Sequence, residues 1–201
     1  VANLPVFGPI SAIRDVVAGQ ERVGLEVVTD GEFRRANWYV DFIGRLGGVE
    51  IRAAHENPTF ASDPANDVHY VPKNVVTVGP LRRPAPITVD DFAFLAGVTT
   101  RTAKITIPSP SRLHFHGGRG VVSTDAYPDI EAFFADVVRA YRAEIADLEA
   151  AGCRYVQIDD PLFSYFISER LRAEIVANGE RPAERLARYV RLINDCIAER
   201  R

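Results

Sequence analysis

Two stretches of the chain share one design, and that design narrows the available folds more than any other feature. Leu25-Glu26-Val27-Val28 is a short apolar run with β-branched residues. It ends in Thr29-Asp30-Gly31-Glu32-Phe33-Arg34-Arg35, a dense cluster of charge around a glycine. Cys153-Arg154-Tyr155-Val156-Gln157-Ile158-Asp159-Asp160-Pro161 has the same plan: an apolar strand, paired carboxylates, and a proline that stops the ladder. Short apolar runs bounded in this way read as buried strands of a parallel sheet. Ala103-Lys104-Ile105-Thr106-Ile107-Pro108 is a third, with Ser109-Pro110-Ser111 as its terminal loop. Amphipathic helical stretches separate the three, which implies parallel βα units with right-handed crossovers.

The helices are marked by period and punctuation. Residues 1–9 read as an extended lead-in. Ser11 is expected to cap a helix reaching about Val23, with Ile13, Val16 and Val17 on one face and Gly24 as its stop. Residues 37–47, with Trp38, Phe42, Ile43 and Leu46 apolar, predict a short helix. Residues 48–87 alternate instead, as in Val49-Glu50-Ile51-Arg52 and Val75-Val76-Thr77-Val78. They predict a β-hairpin-like insertion, an arm of a domain that spans 1–201, with a long mobile loop over residues 57–67. Thr88-Val89-Asp90-Asp91 opens a short helix with capping-box chemistry. Pro128 is expected near the first turn of the strongest helix, whose Ile130, Phe133, Phe134, Val137, Val138, Tyr141, Ile145 and Leu148 keep the helical period until Gly152. A further helix is expected over residues 166–177, and Pro182 opens the last one.

Charge and composition exclude some functions. A formal net charge of -3 on 201 residues gives no electrostatic reason to bind nucleic acid or an anionic membrane. No apolar run approaches the ~20 residues of a membrane span. Cys153 and Cys196, far apart in sequence, suit reduced thiols in a cytoplasmic protein. The chain starts at Val1, contains no methionine, and stops just after a helix. It is therefore expected to be a piece of something longer.

In a parallel α/β architecture all strand C-termini lie on one side. That places Asp30, Glu32, Ser109, Asp159 and Asp160 around a common mouth. Carboxylates gathered there suit a cationic group such as an ammonium, or a metal, and could act as acid and base. Each could instead pair with an arginine or cap a helix. Arg34 and Arg35 could grip a carboxylate or phosphate bidentately, or form surface ion pairs. Trp38, the single tryptophan, could stack on a planar ligand or simply pack. His114-Phe115-His116 alternates as if on an extended segment, where two histidines could share a metal. No third ligand stands at suitable spacing, and Gly117-Gly118 next door indicates a loop. No metal site is assigned on this basis. Neither common phosphate-binding glycine pattern occurs, and there is no nucleophile elbow.

Thr29-Asp30-Gly31-Glu32-Phe33-Arg34-Arg35, followed by Trp38 and Asp41-Phe42, resembles the cobalamin-independent methionine synthase family, especially its short, single-domain bacterial members. Val156-Gln157-Ile158-Asp159-Asp160-Pro161 resembles that family's IQIDEP strand, and residues 104–111 occupy the place of its third marker. The resemblance implies a (β/α)8 TIM barrel that transfers a methyl group from 5-methyltetrahydrofolate (as the polyglutamate) to a thiol such as homocysteine, with zinc holding the thiolate. It also implies that Glu32 and Asp159 hold the amino group of homocysteine. The family's pterin-stacking aromatic would fall near His114-Phe115. The family's zinc ligands, a His-x-Cys pair, a glutamate and a later cysteine, have no counterpart in these 201 residues.

About three barrel strands are visible, against the eight of a complete barrel. The expectation is a partial barrel, inactive alone, whose open edges are covered by a missing C-terminal half or by a second copy in a homodimer. Two other readings are a catalytically dead binding or assembly module and a uroporphyrinogen-decarboxylase-like barrel enzyme, which also uses strand-end carboxylates and arginines.

Overall fold

The computed structural model describes residues 10–53 and 73–200. The lead-in expected over 1–9 and the loop expected over 57–67 lie outside the described residues.

The α/β architecture expected from the sequence is present as part of a barrel. Strands β1 (Val27–Val28), β4 (Thr102–Pro108) and β5 (Tyr155–Asp159) form a parallel sheet with β4 in the centre. Val27 pairs with Thr102, and five rungs join β4 to β5, from Lys104–Tyr155 to Pro108–Asp159. Alternation divides the sheet into two faces. Ala103, Ile105 and Ile107 join the core with Val28, and Val156 and Ile158 pack against it. Lys104, Thr106, Gln157 and Asp159 occupy the other positions of the same strands. The sheet therefore has one apolar face and one polar face.

Helices supply the apolar side. In α1 (Ile10–Arg22), Ile13 and Val17 are buried, and Gly24 at φ 86° turns the chain toward β1. Ser11 sits inside this helix rather than at its cap. The helix α5 (Ile130–Ala150) buries Phe133, Phe134, Val137, Tyr141, Ile145 and Leu148, the stripe expected from its period. Its cap is Asp129, whose side chain accepts from the Glu131 backbone N–H at 3.0 Å. Pro128 precedes the cap, because Asp129 already satisfies an orphan donor of the first turn. The helix α8 (Pro182–Ile197) opens at Pro182 as expected, with Tyr189, Leu192 and Cys196 buried.

The insertion is a hairpin of β2 (Gly47–Ala53) and β3 (Lys73–Arg82), antiparallel, with a register shift between Gly47 and Val49. Three other expectations change. The helix expected over 37–47 is one turn, α2 (Val40–Ile43). The helix expected over 166–177 starts later, as α7 (Glu169–Ala177), because the Ser168 hydroxyl caps it by accepting from Leu171 N, and a separate turn, α6 (Leu162–Tyr165), precedes it. Residues around His114 form the turn α4 (Arg112–Phe115), not an extended loop.

Thr88 precedes α3 (Val89–Ala96), but its hydroxyl makes no cap bond. It donates instead to Glu144 of α5 at 2.6 Å. Glu144 is fully buried and accepts four hydrogen bonds: Arg83 Nε at 2.6 Å, Ile87 N at 2.9 Å and Thr88 N at 2.7 Å join that hydroxyl. This knot ties the segment after the hairpin to α5. A buried carboxylate without these donors would be costly, and with them it fixes the chain path.

Glu144→Ala leaves Arg83 Nε and two backbone N–H groups without their acceptor, while Arg83 keeps Asp147, and is expected to cost about 3–5 kcal/mol of unfolding free energy. Denaturant titration of the two proteins checks this. A loss below about 1 kcal/mol would show that the knot is not structural.

Candidate functional site

The polar face of the sheet and the loops at its C-terminal end form the candidate site. After β1 the chain turns sharply. Gly31 has φ 68° and Glu32 has φ 58°, and Glu32 is the non-glycine residue found with positive φ among the described residues. The left-handed region is costly for a side chain with a Cβ, and such strain concentrates where a group must be aimed. The turn is braced from both ends. The Gln20 amide brackets Thr29, donating to its carbonyl at 2.8 Å and accepting from its N–H at 3.0 Å. Asp30 accepts from Glu32 N at 2.9 Å.

Seven of the residues singled out by sequence divide into two groups. Asp30 is buried and faces protein. Arg34 stands 3.6 Å from Asp30 and 3.4 Å from Asp91, over the ring of Phe94 at 4.5 Å. Burial raises the pKa of Asp91, against the lowering influence of Arg34. Arg35 lies 3.2 Å from Glu32 and donates to Thr106 Oγ1 at 3.0 Å and to the Thr106 carbonyl at 2.6 Å. Both guanidiniums are thus directed onto the protein itself. Ser109 is fully buried, 2.9 Å from Ser111 Oγ.

Glu32, Asp159 and Trp38 are more open. Trp38, Asp159, Asp160 and Pro161 line a cavity of about 380 Å³. The two neighbouring carboxylates there are held differently. Asp159 Oδ1 accepts from Gln157 Nε2 at 2.5 Å. Asp160 accepts from Ser111 Oγ at 2.9 Å and from Leu162 N, at the start of α6, at 2.9 Å. The arrangement offers negative charge and an aromatic face to the same space, which suits a cationic group.

Sequence reasoning missed the supporting polar residues: Thr106, Gln157, Ser111 and Lys104. For the three on strands the signal was the polar residue at every second position of β4 and β5, Lys104-x-Thr106 and Gln157-x-Asp159, within runs read as wholly buried.

The histidine pair does not form a site. His114 is buried, with Nδ1 2.9 Å from Tyr189 Oη and Phe133 and Phe134 beside its ring. Phe115 is buried in the cluster of Leu162, Phe166, Ile175 and Tyr189, so neither ring is offered to a ligand. Burial pushes His114 down to about 4, and burial with Arg112 pushes His116 to about 4.

A zinc ion, which the resemblance implies, does not fit the donors present. Among the described residues no three or more His, Cys, Asp or Glu side chains are grouped to hold a metal. Cys153 and Cys196 are buried, and burial raises both thiols, Cys196 to about 12, which disfavours a thiolate ligand. Among the described residues no helix is long and apolar enough to cross a membrane.

Comparison with known proteins adds family context. Residues 9–184 match the family described as cobalamin-independent synthase, catalytic domain. The uncharacterized proteins YxjG and YxjH of Bacillus subtilis (strain 168) are 36% and 35% identical, over 92% and 94% of this chain and 47% and 48% of theirs. The chain thus spans about half the length of these curated relatives. A structure from Listeria monocytogenes, described as that of a candidate vitamin-B12-independent methionine synthase, superposes with a TM-score of 0.67 at 31% identity, over 96% of this chain and 51% of its own. A B12-independent methionine synthase structure from Shewanella sp. W3-18-1 shares the fold, with a TM-score of 0.62 at 22% identity over 94% of this chain and 48% of its own.

His114 gives a pH prediction. Its folded-state pKa of about 4 lies below the ordinary 6.5, so the unfolded chain takes up the proton first. Stability is expected to fall as pH drops from about 6.5 to 4, by roughly 3 kcal/mol for this group, and to level off below. Denaturation at pH 7 and pH 5 should show a smaller pH-dependent loss in His114→Phe than in the unsubstituted chain. Equal losses would assign the effect to other groups.

Proposed function

The chain belongs to the cobalamin-independent synthase catalytic-domain family, and from that premise we propose that it is the acceptor-binding part of a methyltransferase acting on a thiol such as homocysteine, with a 5-methyltetrahydrofolate as donor. One observation carries the reading. Glu32 and Asp159, from the ends of two different strands, are both hydrogen-bonded to residues on the polar face of the sheet. The Cronobacter sakazakii (strain ATCC BAA-894) protein named 5-methyltetrahydropteroyltriglutamate–homocysteine methyltransferase supports the substrate class. It is 34% identical over 74% of this chain and 18% of its own length.

In this reading Glu32 and Asp159 accept hydrogen bonds from the ammonium of an amino-acid thiol. Trp38 flanks the cavity and Asp160 adds negative charge beside it. The ammonium thereby fixes where the sulfur sits, and orientation of a reacting group contributes to rate only when it is held in place. The described residues contain no fitting zinc site, and no step through zinc is assigned to them. The described residues alone are proposed to bind the acceptor without activating its thiol.

Calorimetric titration with L-homocysteine tests this. The chain is expected to bind it, and Asp159→Asn is expected to weaken binding about tenfold or more, since hydrogen bonds to charged groups are the strong ones. Unchanged affinity in Asp159→Asn would remove the carboxylate from the acceptor site.

A further inference from the structure

Glu32 and Asp159 each accept from a neutral side-chain donor on the sheet. Thr106 and Gln157 are paired across β4 and β5 at one rung of the parallel ladder. Neighbouring strands lie ~4.8 Å apart and paired residues share a face. Thr106 Oγ1 donates to Glu32 Oε1, and Gln157 Nε2 donates to Asp159 Oδ1. One rung of the sheet therefore hydrogen-bonds both carboxylates, although Glu32 comes from the turn after β1 and Asp159 from the end of β5. Behind each neutral donor stands a cation. Arg35 donates to Thr106 Oγ1 at 3.0 Å, and Lys104 Nζ donates to Gln157 Oε1 at 2.8 Å. The threonine can donate to Glu32 because it accepts from Arg35. The glutamine can present its NH₂ to Asp159 because its oxygen is taken by Lys104. In each case the cation fixes the direction of the next hydrogen bond.

The two chains differ in one respect. Arg35 also reaches Glu32 directly, at 3.2 Å. Lys104 reaches Asp159 only through Gln157, and no ion pair of Asp159 occurs among the described residues. An amide donor orients a carboxylate without cancelling its charge, whereas a salt bridge does both. Asp159 is thus the more available of the two anions, and Glu32 the more tightly fixed, a distinction matched by the left-handed backbone of Glu32.

We propose that Thr106 and Gln157 are positioning residues that set the spacing and orientation of the Glu32–Asp159 pair, and so determine its preference for a ligand bearing an ammonium group. The inference rests on the proposed function, and it assigns roles to two residues that touch no ligand themselves. Thr106→Val keeps the shape and removes the hydroxyl. Thr106→Ser keeps the hydroxyl. Gln157→Leu removes the amide on the other strand.

The test is a comparison of two ligands, L-homocysteine and its des-amino analogue 4-mercaptobutanoate, by calorimetry on the unsubstituted chain and the three variants. The quantity read is the ratio of the two dissociation constants. The unsubstituted chain is expected to prefer the amino compound. Thr106→Val and Gln157→Leu should each lower that preference about tenfold while leaving 4-mercaptobutanoate affinity unchanged, and Thr106→Ser should retain it. A preference unchanged in both Thr106→Val and Gln157→Leu overturns the positioning role and leaves the proposed function standing. An equal loss for both ligands, or failure of Thr106→Ser to retain the preference, also overturns it, because the residues would then support the fold generally. An unsubstituted chain without preference for the amino compound overturns the proposed function, and this inference with it.

Discussion

The parallel register of β5 on β4 is the constraint on which the candidate site depends. Because the side-chain period of a strand is two, a slip of one residue would turn Gln157 and Asp159 toward the helices and Val156 and Ile158 away from them. The register is specified by that asymmetry. Ile105, Ile107, Val156 and Ile158 join or pack against the core that residues of α3 and α5 also enter, while Lys104, Thr106, Gln157 and Asp159 cannot be buried there without losing water or partners. Hydrophobic burial on one face thus sets the positions of charged groups on the other. The link from sequence to site runs through packing.

Two further devices hold the loops around that sheet. Glu144 reaches out of α5 to gather Arg83, Ile87 and Thr88, so the chain leaving the hairpin is tied to the helix whose Tyr141 hydroxyl donates to the Pro108 carbonyl at the end of β4. On the other side, Arg112 lies 4.1 Å over the ring of Tyr39 and donates to the Lys73 carbonyl, which also accepts from Tyr39 Oη. That carbonyl joins the start of β3 to the loop preceding α2 and to the start of α4. The Asp30 turn, with glycine and glutamate both left-handed, is then stable because its neighbours over-determine it. Arg34 and Arg35, which could have been ligand-gripping groups, are part of this bracing.

Much of this was legible in the sequence, for physical reasons that differ by element. The three strands were read from short apolar runs and their stops, and the long helix from a stripe of eight apolar residues; both signals come from burial, which dominates the energetics. The order of strand and helix then fixed which loop ends share a side. Caps were less legible. Thr88 and Asp91 have the spacing of a capping box, but Glu144 and Arg34 compete for them, and those partners are 56 and 57 residues away from their targets in sequence. The later start of α7 was hidden because Phe166 and Ile167 extend an apolar pattern ahead of Ser168. The segment around His114 was read as an extended stretch beside a loop because its burial against Phe134 and Tyr189 depends on α5 and α8, which no local pattern announces. The supporting residues Thr106 and Gln157 were missed for the opposite reason: their alternation was visible, but the strands were read as apolar on both faces.

The central claim is that Glu32 and Asp159 converge on one ammonium group. A crystal structure of the chain with L-homocysteine bound tests it most directly. The account predicts the ammonium nitrogen about 3 Å from a carboxylate oxygen of each residue, beside Trp38. An ammonium bound by other groups, or contacting neither carboxylate, would contradict it.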